Sequence, residues 1–283
     1  MNISSPDKVL FPPDVTKREL ADHYESVGPR MVPLVRDRPL TLHSYPRGIA
    51  GEGIYIKQAP KHFPAWIKRV TVKKRGGTVD HAVANRTDTL VYLAGQNVIT
   101  PHVWLSRADL IDKPDRLIFD FDPEHERFGE VRAAARALGD VLRDHGLVPH
   151  AMTSGSRGLH VTVPLRRTRT FEEVRTFADA IGDLMVEQDP KRLTRVWSKA
   201  ERGDRIYVDT GRNAYAQHAV APYGVRAKPG APVATPLHWD ELAEESLRPD
   251  SWTLRTIGER LAGEDPWAGI AKHAKPLPKL PSG

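Results

Sequence analysis

The stretch RLIFDFDP, residues 116–123, decides how the chain is read. Leu117, Ile118, Phe119 and Phe121 read as a buried strand, yet Asp120 and Asp122 interrupt it, and a carboxylate buried without a partner is expensive. Side chains alternate along a strand, so both aspartates point to one face, about 6.6 Å apart, while Phe119 and Phe121 point to the other. Two acids therefore share one open face of a sheet. Like charges at this range repel unless cations sit between them, and two divalent ions about 3.5–4 Å apart would remove the conflict. The same letters also suit an acidic cap at the end of an ordinary strand, because a D-x-D pair is common.

The pattern downstream places that strand in a module. GEVRAAARALGDVLRDHG (129–146) carries Val131, Ala134, Leu138, Val141 and Leu142 at helical spacing and stops at Gly146. PHAMTS (149–154) and LHVTVPL (159–165) are two strands around a glycine-rich turn. TFEEVRTFADAIGDLMVEQ (170–188) opens on the capping pair Thr170 and Glu173, with Val174, Phe177, Ile181 and Leu184 on one face. DRIYVDT (204–210) is a further strand. The order β-α-β-β-α-β over residues 117–210 is that of the ferredoxin-like split βαβ unit, one sheet with two helices on its back. In that order Asp209, on the last strand, falls toward an edge. Upstream, Thr16 and Glu19 form a capping box that opens a helix through about Val27. Residues 36–100 read as short strands with turns at PRGIAGEG (46–53) and KKRGGT (73–78). The tail KHAKPLPKLPSG is rich in Pro and Lys and is expected to fray.

Composition narrows the chemistry. With 283 residues, 40% of them hydrophobic, the chain can bury a substantial core. No apolar run approaches the roughly 18 residues of a membrane helix, and the first residues lack signal-peptide character, so a cytoplasmic location is expected. The chain has no cysteine, so any metal must be held by oxygen or imidazole. The formal charge of +6 suits a polyanionic partner, as it also suits a merely solvated surface.

Three further segments carry donors for phosphate. TSGSRGLHV (153–161) sets Ser154, Arg157 and His160 around two glycines, where backbone N–H, hydroxyl, guanidinium and imidazole groups all match phosphate oxygens. ITPHVW (99–104) adds His102, and APYGVRAKPGAPVATPL (221–237) presents Arg226 and Lys228 in a Pro-rich loop. Each alone has a bland structural reading. Together, acidic ligands opposed by phosphate donors are the layout of nucleotidyl transfer.

With these segments together, the sequence resembles the polymerase domain of bacterial ligase D and its stand-alone relatives, in the archaeo-eukaryotic primase superfamily. PDKVLFP, TKRELADHY, RPLTLHSYPRG, IKQAPKHFPAWI, LIFDFDP, TSGSRGLHVTVPL, VDTGRN, the 221–237 loop and DPWAGI occur in the family's order and cover nearly the whole chain. The resemblance implies an α+β fold, a ferredoxin/RRM-like primase-polymerase palm with an N-terminal mixed α/β module packed on it. The corresponding division is a domain over 1–272, with a module of about 1–100, a catalytic core of about 101–272, and a flexible tail over 273–283. It implies a primer-extending polymerase that fills short gaps during non-homologous end joining, works with Ku and an ATP-dependent DNA ligase near the nucleoid, uses two manganese or magnesium ions and favours ribonucleotides over deoxyribonucleotides. Ligation is expected from another chain or from a further part of a longer protein. A primase that starts chains unaided, and a non-catalytic module that binds DNA ends, are the alternatives.

Position by position, Asp120, Asp122 and Asp209 resemble the family's catalytic metal triad. His102, Ser154, Arg157, His160 and Arg226 resemble its nucleotide pocket, with Arg157 where Lys is common. Lys8 and Lys17 match residues that grip the 5′-phosphate of a gap, and Tyr55 stands near an aromatic that stacks on template bases. After the third aspartate, DTGRNAYAQHA (209–219) departs from the family pattern: Gly211 replaces a bulky residue and Tyr215 a basic one, a loss that Arg212 is placed to compensate.

Overall fold

A computed structural model describes residues 3–125 and 127–279. In chain order the elements are β1 (Val9–Phe11), β2 (Val15–Thr16), α1 (Lys17–Val35), β3 (Leu40–Ser44), β4 (Ile54–Ile56), β5 (Arg69–Lys74), β6 (Gly77–Ala82), α2 (Thr87–Gly95) and β7 (Val98–Trp104). They continue with β8 (Arg116–Asp122), α3 (Phe128–Asp144), β9 (His150–Thr153), β10 (Leu159–Pro164), α4 (Phe171–Gln188), β11 (Leu193–Thr194), α5 (Lys199–Arg202), β12 (Ile206–Asp209), β13 (His218–Val220), β14 (Pro236–Leu237) and α6 (Ile257–Ala262). The chain divides into two units. Unit 1 is 1–111 with 218–235 and 252–265; unit 2 is 112–217 with 236–251 and 266–283. A single border near residue 100 does not describe this division, because later segments return to unit 1.

Unit 1 is built on the four-stranded sheet β13-β7-β3-β4, with all seven residues of β7 buried. The capping box is present: Thr16 Oγ1 accepts from Glu19 N at 3.3 Å and Glu19 Oε2 accepts from Thr16 N at 2.8 Å. The helix runs past the expected stop near Val27 to Val35, through Pro29 and Pro33, because Met31, Val32, Leu34 and Val35 are buried and packing outweighs the lost backbone bonds. Within the stretch expected to hold only strands, 87–95 forms α2, burying Leu90, Leu93 and Ala94. The KKRGGT turn closes the β5-β6 hairpin, with Lys74 opposite Gly77.

Unit 2 holds a six-stranded sheet in the order β11-β12-β8-β10-β9-β14, antiparallel except for the β11-β12 pair. Its β8-α3-β9-β10-α4-β12 core follows the expected element order, α3 packs against β10 and α4 against β8, and Phe119 and Phe121 are fully buried. The Thr170–Glu173 capping box is present. Of the expected face of α3, Val131, Leu138 and Leu142 are buried; Ala134 and Val141 are half-buried at its border, and Ala135 and Gly139, the latter beneath Trp239, complete the buried side. The tail is not loose where it is described: Lys275 bridges in parallel to Leu165 and Leu277 is buried, so backbone pairing and apolar contact hold it, while 280–283 lie outside the described residues.

Candidate active site

The acids of unit 2 are set by strand register. On β12, Asp209 lies directly opposite Asp120 of β8; on the other side of β8, His160 of β10 lies directly opposite the same Asp120. Side chains directly across a sheet share a face, so Asp209, Asp120 and His160 form a row over three strands, with Asp122 two residues along. Asp209 is thus beside the acid-bearing strand rather than at a free edge, since β11 adds outside β12. His160 Nε2 lies 3.4 Å from Asp120 Oδ1, and its Nδ1 is buried without a hydrogen-bond partner.

Each outer carboxylate has turned to a cation. Arg157 reaches Asp122 at 3.6 Å, Arg202 spans Asp122 at 4.0 Å and Glu124 at 2.7 Å, and Arg212 approaches Asp209 at 3.4 Å. Asp209 also accepts from Gly211 N at 2.7 Å. Burial, and then the charge of Asp120, raise the pKa of both Asp122 and Asp209 above the usual carboxylate range. Proton uptake or added cations would both relieve that crowding. Among the described residues no three Asp, Glu or His side chains stand grouped tightly enough to hold one ion. The donor set itself, three carboxylates on one face, is that of hard divalent cations.

The glycine-rich turn is held by Ser154, whose Oγ accepts from Ser156 N at 3.2 Å and Gly158 N at 3.1 Å. A Cβ at Gly158 would lie 1.9 Å from Phe121 O, so only glycine lets the turn close on β8 and set Arg157 beside Asp122.

The remaining expected site residues belong to unit 1. His43 of β3, Tyr55 of β4, His102 of β7 and His218 of β13 form a ring cluster: His43 stacks on Tyr55 at 4.0 Å and 9°, and His102 meets His218 at 5.1 Å. Tyr55 is 56% exposed. Burial and the charge of Arg226 hold the His43 imidazole below its usual pKa, which sets Arg226 beside the same cluster. Lys17 is buried, donates to Ser4 O at 2.9 Å, and has its ammonium pKa lowered by burial and by the charge of Lys8, which itself donates to Pro46 O.

Residues 16–267 match the family described as LigD, primase-polymerase domain. The chain belongs to that family. It is 31% identical over 252 residues to the multifunctional non-homologous end joining protein LigD of Mycolicibacterium smegmatis, covering 88% of this chain and 33% of that protein. It is 32% identical over 277 residues to the Pseudomonas aeruginosa protein of the same name, covering 96% and 33%. The chain therefore spans about a third of the length of these relatives. Its fold matches the polymerase domain from Mycobacterium tuberculosis ligase D in complex with DNA, with a TM-score of 0.91, 28% identity, and coverage of 97% of this chain and 99% of that one.

Within this LigD primase-polymerase fold, three participants escaped the sequence reading. His43 and His218 lie in quoted or adjoining segments, where alternation with Thr41 and Tyr45 signals only a shared face. Arg202 is 5% exposed and lies 78 residues from the Glu124 it pairs with, so no local pattern marks it. At the departures from the family pattern, a Cβ on Gly211 would come within 3.0 Å of Asp209 Oδ1, and Tyr215 packs edge-on against Phe171.

Proposed function

We propose that this chain is a template-directed nucleotidyltransferase that adds nucleotides, preferably ribonucleotides, to a primer 3′-hydroxyl while filling short gaps at DNA ends during non-homologous end joining. The carrying observation is the row Asp209–Asp120–His160 with Asp122 beside it, carboxylates crowded on one sheet face and ringed by arginines. Family membership, the DNA bound by the related polymerase domain, and the charge of +6 support it.

In this reading Asp120, Asp122 and Asp209 hold two divalent ions, manganese or magnesium. Such ions, when bound, supply Lewis acidity toward the attacking hydroxyl and the departing pyrophosphate. His160 orients the Asp120 carboxylate, and Arg157 swings from Asp122 to the triphosphate, where its fork suits paired phosphate oxygens. Ser154 shapes the turn that aims backbone N–H groups at phosphate. In unit 1, His102 orients the incoming nucleotide, Arg226 offsets its charge, Tyr55 stacks on a template base, and Lys8 with Lys17 binds a downstream 5′-phosphate near the start of α1, where the helix end also attracts anions. Ku and an ATP-dependent ligase are the partners in this reading, and the cytoplasmic nucleoid is the place; no helix among the described residues is long and apolar enough to cross a membrane.

Primer extension across a one-nucleotide gap, with manganese and equal ATP and dATP, tests it. Asp120→Asn, Asp122→Asn and Asp209→Asn should each lose activity on the order of 100-fold or more with DNA binding retained, because charge is removed at constant shape. Wild-type activity in the Asp120→Asn variant would refute the assignment. Dinucleotide synthesis from template alone would identify a primase, and binding without synthesis an end-binding module.

A further inference from the structure

Trp197 is 81% exposed, more than any other large hydrophobic side chain among the described residues. Isolated exposed apolar residues are ordinary, so exposure alone says little. Its setting says more. The backbone around it is pinned rather than loose: buried Arg202 donates from Nε to Val196 O at 3.0 Å and from Nη2 to Trp197 O at 2.8 Å, while Nη1 holds Glu124 at 2.7 Å and reaches Asp122 at 4.0 Å. The same guanidinium lies over the Tyr207 ring at 3.9 Å, and Tyr207 is directly opposite Asp122. One arginine thus ties the Trp197 backbone to the acidic face. Three residues beyond β11, whose Thr194 pairs with Tyr207, Trp197 leaves the sheet beside that face with its indole in solvent.

The surroundings suit a polyanion. Lys199 is exposed, and its ammonium acts on the Asp122 carboxylate, which places it on the same side. Within the segment 192–205, Arg192 and Arg195 are paired with Asp189 and Asp179, and Arg205 is a further positive group, set against Glu201 and Asp204. An exposed, backbone-anchored indole among cations is the arrangement that binds single strands: bases stack on the ring and phosphates meet the charges.

We propose that Trp197 is a stacking platform for an unpaired base of a nucleic-acid single strand passing along the acidic face of unit 2, with Lys199 contacting an adjacent phosphate. The proposal deepens the nucleotidyl-transfer reading and rests on it for the strand's purpose, but binding can be measured without catalysis.

The test is fluorescence anisotropy of the full chain with labelled DNA and RNA single strands of about 12 nucleotides and with a blunt duplex, without nucleotide or divalent metal. Trp197→Ala should weaken binding to single strands on the order of tenfold, with little change on the duplex, and Trp197→Phe should restore most of the loss. Lys199→Ala should reduce the dependence of log affinity on log salt by about 0.7 on single strands, whereas Trp197→Ala should leave that slope unchanged. Loss on DNA, on RNA or on both supports stacking and tells which strand is held. Unchanged affinity of Trp197→Ala for both single strands overturns the proposal, as does an equal loss on duplex that Trp197→Phe fails to restore. Failure of the wild-type chain to extend a primer, with the Trp197 effect intact, would overturn the catalytic reading alone.

Discussion

At His23 a single imidazole couples folding of unit 1 to pH. Burial pushes its pKa down to about 4, its Nε2 lies 2.9 Å from Tyr223 O, and its Nδ1 has no hydrogen-bond partner. The native state refuses a proton that the unfolded chain accepts below about pH 6.5. Stability from this group is therefore complete above that value and declines as pH falls toward 4, by about 2 kcal/mol between pH 7 and pH 5. His23→Gln keeps a donor for Tyr223 O and has no such titration, so its urea stability should lose about 2 kcal/mol less than wild type over that interval. An identical acid loss in both proteins would refute the assignment. The residue scale is also where the sequence is most and least informative. Alternation alone sets Asp120 and Asp122 on one face; nothing local marks Arg202, whose carboxylate partners Glu124 and Asp122 are 78 and 80 residues away.

At the scale of elements, close approach decides which glycines are replaceable. On α3, a Cβ at Gly139 would sit 2.0 Å from Cζ2 of Trp239, whose ring also lies under the Arg143 guanidinium at 4.5 Å. Gly139→Ala is expected to destabilise by about 1–3 kcal/mol despite the better helix propensity of alanine, because the indole must shift. Combined with Trp239→Leu, the same change should cost less than the sum of the two, read from denaturant midpoints. Strict additivity would show that the contact is not responsible. Both capping boxes were legible because each is written within four consecutive residues. The run of α1 through two prolines was not, since burial of Met31, Leu34 and Val35 is a property of the packed unit.

At the scale of the whole molecule, the units are not consecutive pieces of chain. Unit 1 takes β13 from residues 218–220, where His218 pairs with Trp104 and Val220 with His102. Arg255 meets Glu19 at 2.8 Å and Asp14 at 3.2 Å, and Arg30 donates to Leu261 O at 2.7 Å. A fragment ending at residue 111 would expose one edge of β7 and lose these ties, so it is expected to be digested readily by protease and to lack a cooperative thermal transition, whereas the full chain resists and melts sharply. A stable, cooperatively melting fragment would refute that dependence. By itself, the sequence determined what is written locally: the strand that puts two aspartates on one face, the capped helix starts at Thr16 and Thr170, the KKRGGT turn, the β-α-β-β-α-β order of the 117–210 core, and the motifs that mark the family. Only the tertiary structure decided that Asp209 stands opposite Asp120 with His160 on the other flank, that His43 and His218 join His102 and Tyr55, and that residues beyond 217 complete unit 1. The physical reason is that periodicity and capping act over a few residues, while strand neighbours are chosen by pairing and burial between segments far apart in the chain.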